Sequence, residues 1–312
     1  MNDLSMPTVT ILTATYNREK TLKRLFDVLQ SQTLFDFEWL VINDGSTDGT
    51  AKLLEHFQSN HFNIRIYNQE NKGINQTINC GVILAKGDLI FRVDSDDYIT
   101  NDAVEQIIKY KDRIWDDDKL CALVFLSEYK SGGIVGFHPF KCDFVTNFTD
   151  YRFKYHGKGD RAEVVKKSVY TQYPIPKFSN EKFCHESVMW DKMADSYNAL
   201  YLNIPIYVRE YGVDSITASQ LEINLLNPIG TTERFASILN RTKNFKYQLW
   251  YSVQYFRWIY KAKYKLIDGI IKVPMYSFLI GFVPGFLLHS IDLINPYLIS
   301  SVKRYAINLT HK

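Results

Sequence analysis

The sequence predicts an α/β protein built on a mainly parallel sheet flanked by helices, with a C-terminal helical, membrane-associating extension. Three observations carry that expectation. Apolar runs of strand length alternate with amphipathic helical patterns, a polar loop closes each early run, and the chain beyond Gly230 is basic and aromatic. Val9–Ala14 (VTILTA) is the first strand and Arg18–Gln32 an amphipathic helix. Phe37–Asn43 (FEWLVIN) is the second strand, closed by the turn DGSTDGT and followed by a helix from Thr50 to Gln58. Ile64–Asn68 gives a third strand, Ile74–Ala85 a helix and Gly87–Val93 a fourth strand. Beyond Asn101 the pattern gives a helix to Lys111, a strand at Leu120–Leu126 and a mixed region rich in Gly, Phe and Tyr. A helix from Glu186 to Tyr197 and a strand over Ala199–Tyr211 follow.

The 312 residues are 46% hydrophobic and 23% charged, ordinary for a globular chain. Cys80, Cys121, Cys142 and Cys184 are scattered without a Cys-x-x-Cys pair, and no secretory leader is read at the start. A disulfide framework and a zinc site are not expected, whereas a reducing, cytoplasmic setting is. The net charge of +3 hides a split. From Gly230 onward 12 Lys/Arg face 3 Asp/Glu, a net +9, which leaves −6 for residues 1–229. The main domain is expected to cover 1–229, ending near Asn227–Pro228, and a basic aromatic helical tail to cover 230–312.

The stretch FRVDSDDY sets Asp94, Asp96 and Asp97 at the mouth of the fourth strand, where repulsion and desolvation both cost stability. Helix capping accounts for one of them. Hard oxygen ligands on a loop suit Mg²⁺ or Mn²⁺, which would relieve the repulsion and itself bind a diphosphate. The turn VINDGSTDGT has a plain reading, with Ser46 or Thr47 capping the next helix. Together with TATYNRE after strand one and NQENKGINQTIN after strand three, it sets polar loops at the carboxyl ends of successive strands, where open α/β sheets bind ligands.

Thr15-Tyr16-Asn17, Asp44-Gly45-Ser46-Thr47-Asp48, Asn71-x-Gly73 with Asn79, and Asp94-x-Asp96-Asp97 occur in this order and at spacings that resemble the family-2 glycosyltransferases with the Rossmann-like GT-A fold. The resemblance is dense over residues 8–100 and looser to about Thr217. It implies a nucleotide-sugar half over 1–100 and an acceptor half over 101–229. Thr13 and Thr15 match positions beside the nucleotide, with Asn17, Ser46, Asn71, Gly73 and Asn79 in the same binding loops. Asp44 matches a uracil contact, Asp94 a position near the ribose, and Asp96 the metal ligand on the diphosphate, with Asp94 and Asp97 beside it. Lys72 could reach the phosphates or simply be solvated. Asn43 stands where the family's acid precedes the aspartate, and Ile78 where an arginine often precedes the helix asparagine. Arg209, Tyr211 or Asp214 stands where many relatives place a late histidine near the metal.

In CHESVMWDK, His185-Glu186 looks like the family's Glu-Asp pair, with Trp190 one turn on. Glu186 is the expected base, with Asp191 and Asp195 in reserve. The plain alternative is a first-turn acid favoured by the helix dipole. His185 is expected to pack or to serve as a second base. In GKGDRAEVVKKSVY, Asp160 is a candidate acceptor contact, and a surface strand with paired charges is an equal account.

The tail joins YQLWYSVQYFRWIYKAKYKL to VPMYSFLIGFVPGFLLHSI, which has no charged residue. Pro274, Gly281 and Pro284-Gly285 argue against one continuous spanning helix. Aromatic rings among Lys and Arg fit the membrane interface, with packing on protein or on a second subunit as the rival. Nucleic acid is not expected as a partner, and a homo-oligomer is left open. The reading is a metal-dependent inverting transferase that moves sugar from a UDP-sugar to a glycan or polyprenyl-diphosphate-linked acceptor at the cytoplasmic face of the inner membrane. A catalytically inactive nucleotide-sugar scaffold and a sugar-1-phosphate nucleotidyltransferase are the rivals.

Overall fold

Continuous apolar runs become strands buried on both faces, the pattern of a sheet covered by helices. The protein is described by a computed structural model over residues 6–210 and 220–294. These fall into two compact units, residues 6–175 with 192–210, and residues 176–191 with 220–294. The expected boundary near Asn227–Pro228 lies inside the second unit.

The first unit holds nine strands among the described residues: β1 (Val9–Thr15), β2 (Phe37–Asn43), β3 (Asn63–Asn68), β4 (Leu89–Arg92), β5 (Tyr98–Ile99), β6 (Leu120–Tyr129), β7 (Phe144–Thr146), β8 (Arg161–Lys166) and β9 (Asn198–Arg209). They form one sheet in the order β3-β2-β1-β4-β8-β6-β9-β5, with β7 also on β9. The β1, β2, β3 and β4 pairings are parallel, as expected. Farther on the sheet is mixed, because β8 runs antiparallel between β4 and β6.

That placement corrects the surface-strand reading of β8, whose residues are almost all buried. Its charges misled because Arg161 and Lys166 are satisfied internally. The Arg161 guanidinium donates to the carbonyls of Val135, Phe137, Lys158 and Asp160 and to Tyr151 Oη. Under the sheet, Leu22, Leu25 and Leu29 of the helix Leu22–Gln30 pack with Trp39, which lies near Phe26 and Phe57.

The second unit includes the helices Gln220–Leu226, Pro228–Arg241, Phe245–Ile259, Leu266–Ile270 and Met275–Ile294. Phe235, Leu239, Tyr255, Phe256, Trp258 and Ile259 form its core. Met275–Ile294 is one continuous helix with Pro284 inside it, against the expected break. A proline removes a single backbone donor, and here tertiary packing holds the helix. Ser277, Gly281 and Gly285 form a small-residue edge against Phe245–Ile259, so close that a Cβ at Gly285 would lie 2.6 Å from Phe256 Cβ. Arg257 closes the seam with two hydrogen bonds to the buried Asp292, at 2.7 and 2.8 Å.

Candidate active site

The carboxyl ends of β1, β2 and β3 stand level, Thr15 beside Asn43 and Asn43 beside Asn68, with β4 on the other side of β1. The loops leaving these four strands share one rim. Asn17 ties the first loop to the second. Its amide donates to Ser46 Oγ at 3.0 Å, and its Oδ1 accepts from the Thr47 amide at 2.8 Å. Its φ of 53° lies in the left-handed region that Asn tolerates better than most residues. Ser46 Oγ in turn donates to Asn43 Oδ1 at 2.6 Å.

Asp44 ties the second loop to the third. It is buried, and its carboxylate accepts from Gln69 Nε2 at 2.7 Å and from the amides of Lys72 and Gly73 at 2.9 Å each. Gly45, at φ 72°, lets the turn approach so closely that a Cβ would lie 2.8 Å from the Asn71 amide nitrogen. Asn71 Nδ2 donates to the Asp44 carbonyl at 3.1 Å. Asp44 is thus the anchor of the third loop. Asp44→Ala is expected to cost about 1.5–3 kcal/mol, the range for hydrogen bonds to a charged group. Hydrogen exchange should show the Lys72 and Gly73 amides losing protection first, and unchanged protection there would refute the anchoring role.

Two expected nucleotide contacts, Thr13 and Asn79, hydrogen-bond within the protein instead. Thr13 is fully buried and its hydroxyl accepts from Trp39 Nε1 at 3.0 Å, inside the core. Thr15 ends the strand two residues later, and its buried hydroxyl has no hydrogen-bond partner among the described residues. Asn79 binds the backbone of Ile175, donating to its carbonyl and accepting from its amide, both at 2.9 Å, so it braces the helix. Ile78 is buried beside it. The Lys72 side chain is exposed.

No helix starts within the aspartate cluster. The next begins at Ala103, so capping does not explain it. Arginines offset the charge instead. Arg18 Nη2 lies 3.5 Å from Asp96 Oδ2, and Arg92 Nε 4.0 Å from Asp94 Oδ1. Arg209, from the end of β9, reaches Asp97 at 3.1 Å, Asp94 at 3.4 Å and Asp160 at 3.7 Å. Tyr207 Oη accepts from the Asp94 amide at 3.0 Å and donates to Asp97 Oδ2 at 3.1 Å. Thr21 Oγ1 and Arg24 donate to the carbonyls of Ser95 and Asp96, fixing this loop to the first.

The three carboxylates differ. Asp97 is enclosed, and burial pushes its pKa up to about 7, with Arg209 opposing and Asp94 and Asp96 adding to the rise. Burial also works against the charge on Arg209, but Tyr207 and the surrounding carboxylates outweigh it. Asp94 and Asp96 keep 40% of their side chains exposed. Among the described residues no group of three or more His, Cys, Asp or Glu could hold a metal unaided. Two accessible carboxylates do fit Mg²⁺ or a similar hard ion, which takes one or two and fills its shell from phosphates and water.

Glu186, His185, Trp190 and Asp191 belong to the second unit, and Asp195 to the first. Glu186 is partly buried in the opening turn leading into the helix Ser187–Ala194, its carbonyl accepting from the Met189 amide at 2.8 Å. His185 Nε2 accepts from Arg234 Nη1 at 2.9 Å. Burial and that cation push its pKa down to about 3, which makes it a neutral packing residue. Asp191 is buried and accepts from Ser237 Oγ at 2.8 Å, a structural bond. Asp195 is exposed and Trp190 partly buried. Tyr211 and Asp214 lie outside the described residues.

Residues 10–132 match the family model described as glycosyl transferase family 2. They are a family-2 glycosyltransferase domain. Chondroitin synthase of Escherichia coli is 39% identical over 100 residues, 32% of this chain and 15% of that one. Hyaluronan synthase of Pasteurella multocida is 38% identical over 104 residues, 33% of this chain and 11% of that one. This chain thus spans only a small part of those curated relatives. Among solved structures, S. aureus TarS 1–349 in complex with UDP-GlcNAc superposes with a TM-score of 0.63 at 18% identity, over 88% of this chain and 84% of that one. The mannosyltransferase PcManGT of Pyrobaculum calidifontis in complex with GDP-Man and Mn²⁺ gives 0.53 at 14% identity, over 95% and 83%. These likenesses establish the GT-A-like fold of the glycosyltransferase domain. Gln69, Arg18, Arg24, Arg92 and Tyr207 join the site without a sequence signal, because each partnership is fixed by folding rather than by spacing.

Proposed function

We propose that the chain transfers a sugar, with inversion, from a UDP-sugar to a hydroxyl of a glycan carried on a polyprenyl-diphosphate lipid at the cytoplasmic face of the inner membrane, in polysaccharide synthesis. The observation that carries the donor side is the rim of four knitted loops, with the accessible pair Asp94 and Asp96 on it and the buried Thr15 hydroxyl beneath. Relatives that make chondroitin and hyaluronan support a polysaccharide product. A fold neighbour with UDP-GlcNAc bound supports a uridine donor.

Asp94 and Asp96 would hold Mn²⁺ or Mg²⁺, which when bound neutralises charge on the departing diphosphate. Thr15 would hydrogen-bond the nucleotide, while Arg18 and Arg209 hold the aspartates in place. Glu186 would take the proton of the acceptor hydroxyl as its oxygen bonds to the anomeric carbon, while the bond to UDP breaks and its electron pair leaves with the diphosphate. The chain is expected to melt at higher temperature with UDP and Mn²⁺ together than with either alone, since only the native state binds them. Asp96→Ala should abolish the Mn²⁺ increment. Retention of full Mn²⁺-dependent stabilisation by that variant would refute the assignment, and UDP binding with no transfer to any acceptor would favour an inactive scaffold.

A further inference from the structure

The helix Met275–Ile294 is apolar on its outer side as well as on the inner side, where Phe278 and Phe282 pack on the core. A helix on a soluble domain turns its apolar stripe to the core. Here Ser277, Gly281, Gly285 and Asp292 face the partner helix Phe245–Ile259, while Leu279 (77% exposed), Val283 (63%), Leu287 (57%) and Ile294 (87%) face outward. Ile267 and Ile271, 74% and 75% exposed, extend the apolar surface of this unit over the preceding short helix. Contiguous apolar surface of this kind marks an interaction face. Lys263 and Lys265 are exposed around these isoleucines, with Asp268 the one acid between Tyr260 and Lys272, while Lys272 itself pairs with Glu233.

We propose that this face docks on a bilayer surface bearing anionic headgroups, with the helix lying along the interface rather than crossing it. Charge selects the occupant. Exposed lysines beside a charge-free apolar ridge complement anionic lipid. The seam selects the orientation. The partner helix has 15 residues, about 22 Å at 1.5 Å per residue, short of the roughly 30 Å hydrocarbon core, and it carries Lys246 and Arg257. Met275–Ile294 is held to that helix through the small-residue edge and the buried Arg257–Asp292 pair. Spanning the bilayer alone would strand that pair. For the choice of leaflet this rests on the proposed lipid-linked acceptor.

The test is flotation of the full chain with phosphatidylcholine vesicles, with and without phosphatidylglycerol, in the absence of nucleotide and acceptor. At least about tenfold more chain should bind the anionic vesicles, and added salt should reduce it. The combined change Leu279→Ser, Val283→Ser and Leu287→Ser should lower binding at least about tenfold at an unchanged melting temperature. Reversing Lys263 and Lys265 to Glu should remove the preference for phosphatidylglycerol. Binding that ignores the serine changes, or a dimer in light scattering that those changes dissociate while vesicles are ignored, overturns the proposal. So does a bound chain that resists alkaline carbonate extraction as a spanning protein would. A chain that floats but transfers no sugar refutes the proposed activity alone. One that transfers to a soluble acceptor yet ignores vesicles refutes the docking face alone.

Discussion

Arg209→Gln is expected to destabilise the chain by about 3–5 kcal/mol, the cost of stripping one partner from a buried ion pair. Arg209 stands at the centre of Asp94, Asp97 and Asp160, with its side chain 16% exposed, and Asp97 keeps 5%. The loss should depend on pH. Burial holds the Asp97 pKa near 7, above the roughly 3.9 of an unfolded aspartate. Its contribution is therefore complete below about pH 4 and lost as pH rises through about 7. Without Arg209 to oppose the burial, that loss deepens. The variant should come closest to the parent near pH 5 and fall farthest behind at pH 8. Urea midpoints at those two pH values, with chelator present, check it, and an equal deficit at both would show that the cost is packing rather than charge.

Glu186→Gln is expected to lower kcat by about 10²–10⁴, the range for removing a general base, while leaving UDP affinity within about twofold. The split is the point of the experiment. Glutamine keeps the shape and removes the proton acceptor, so a change in donor affinity would mean a role in holding the site together. Asp191→Asn should lower stability instead, because Asp191 is buried against Ser237. Asp195→Asn, on an exposed side chain, should change neither. A hundredfold fall in kcat from Asp195→Asn with Glu186→Gln active would move the base to Asp195.

β1, β2 and β4 were legible because strands buried on both faces are written as unbroken apolar runs, β3 by its alternation alone, and all four were found within two residues of their observed bounds at either end. Reading failed where charge sat inside. Arg161 and Lys166 looked like surface residues in β8, yet carbonyls from four other positions satisfy the first and the Asp117 carbonyl accepts from the second at 3.2 Å. Motif positions were legible as well, but not every role. Thr13 and Asn79 share loops with the ligand rim in sequence, while their hydrogen bonds run to Trp39 and Ile175. The aspartate cluster illustrates the limit most directly. Its repulsion was visible in eight consecutive letters, whereas Arg18 and Arg209, which relieve it, arrive from 78 and 115 positions away.

The edge of Met275–Ile294 stripped to Ser277, Gly281 and Gly285 gives the two sides of one helix opposite freedom to drift. On the inner side a single added methyl would wedge against Ser252 or Phe256 and pry the pair apart, so substitutions there are close to forbidden. On the outer side any oily side chain can replace another at little cost. A collection of natural variants should therefore scatter at Leu279, Val283 and Leu287 and stand still on the opposite side, at Ser277, Gly281 and Gly285.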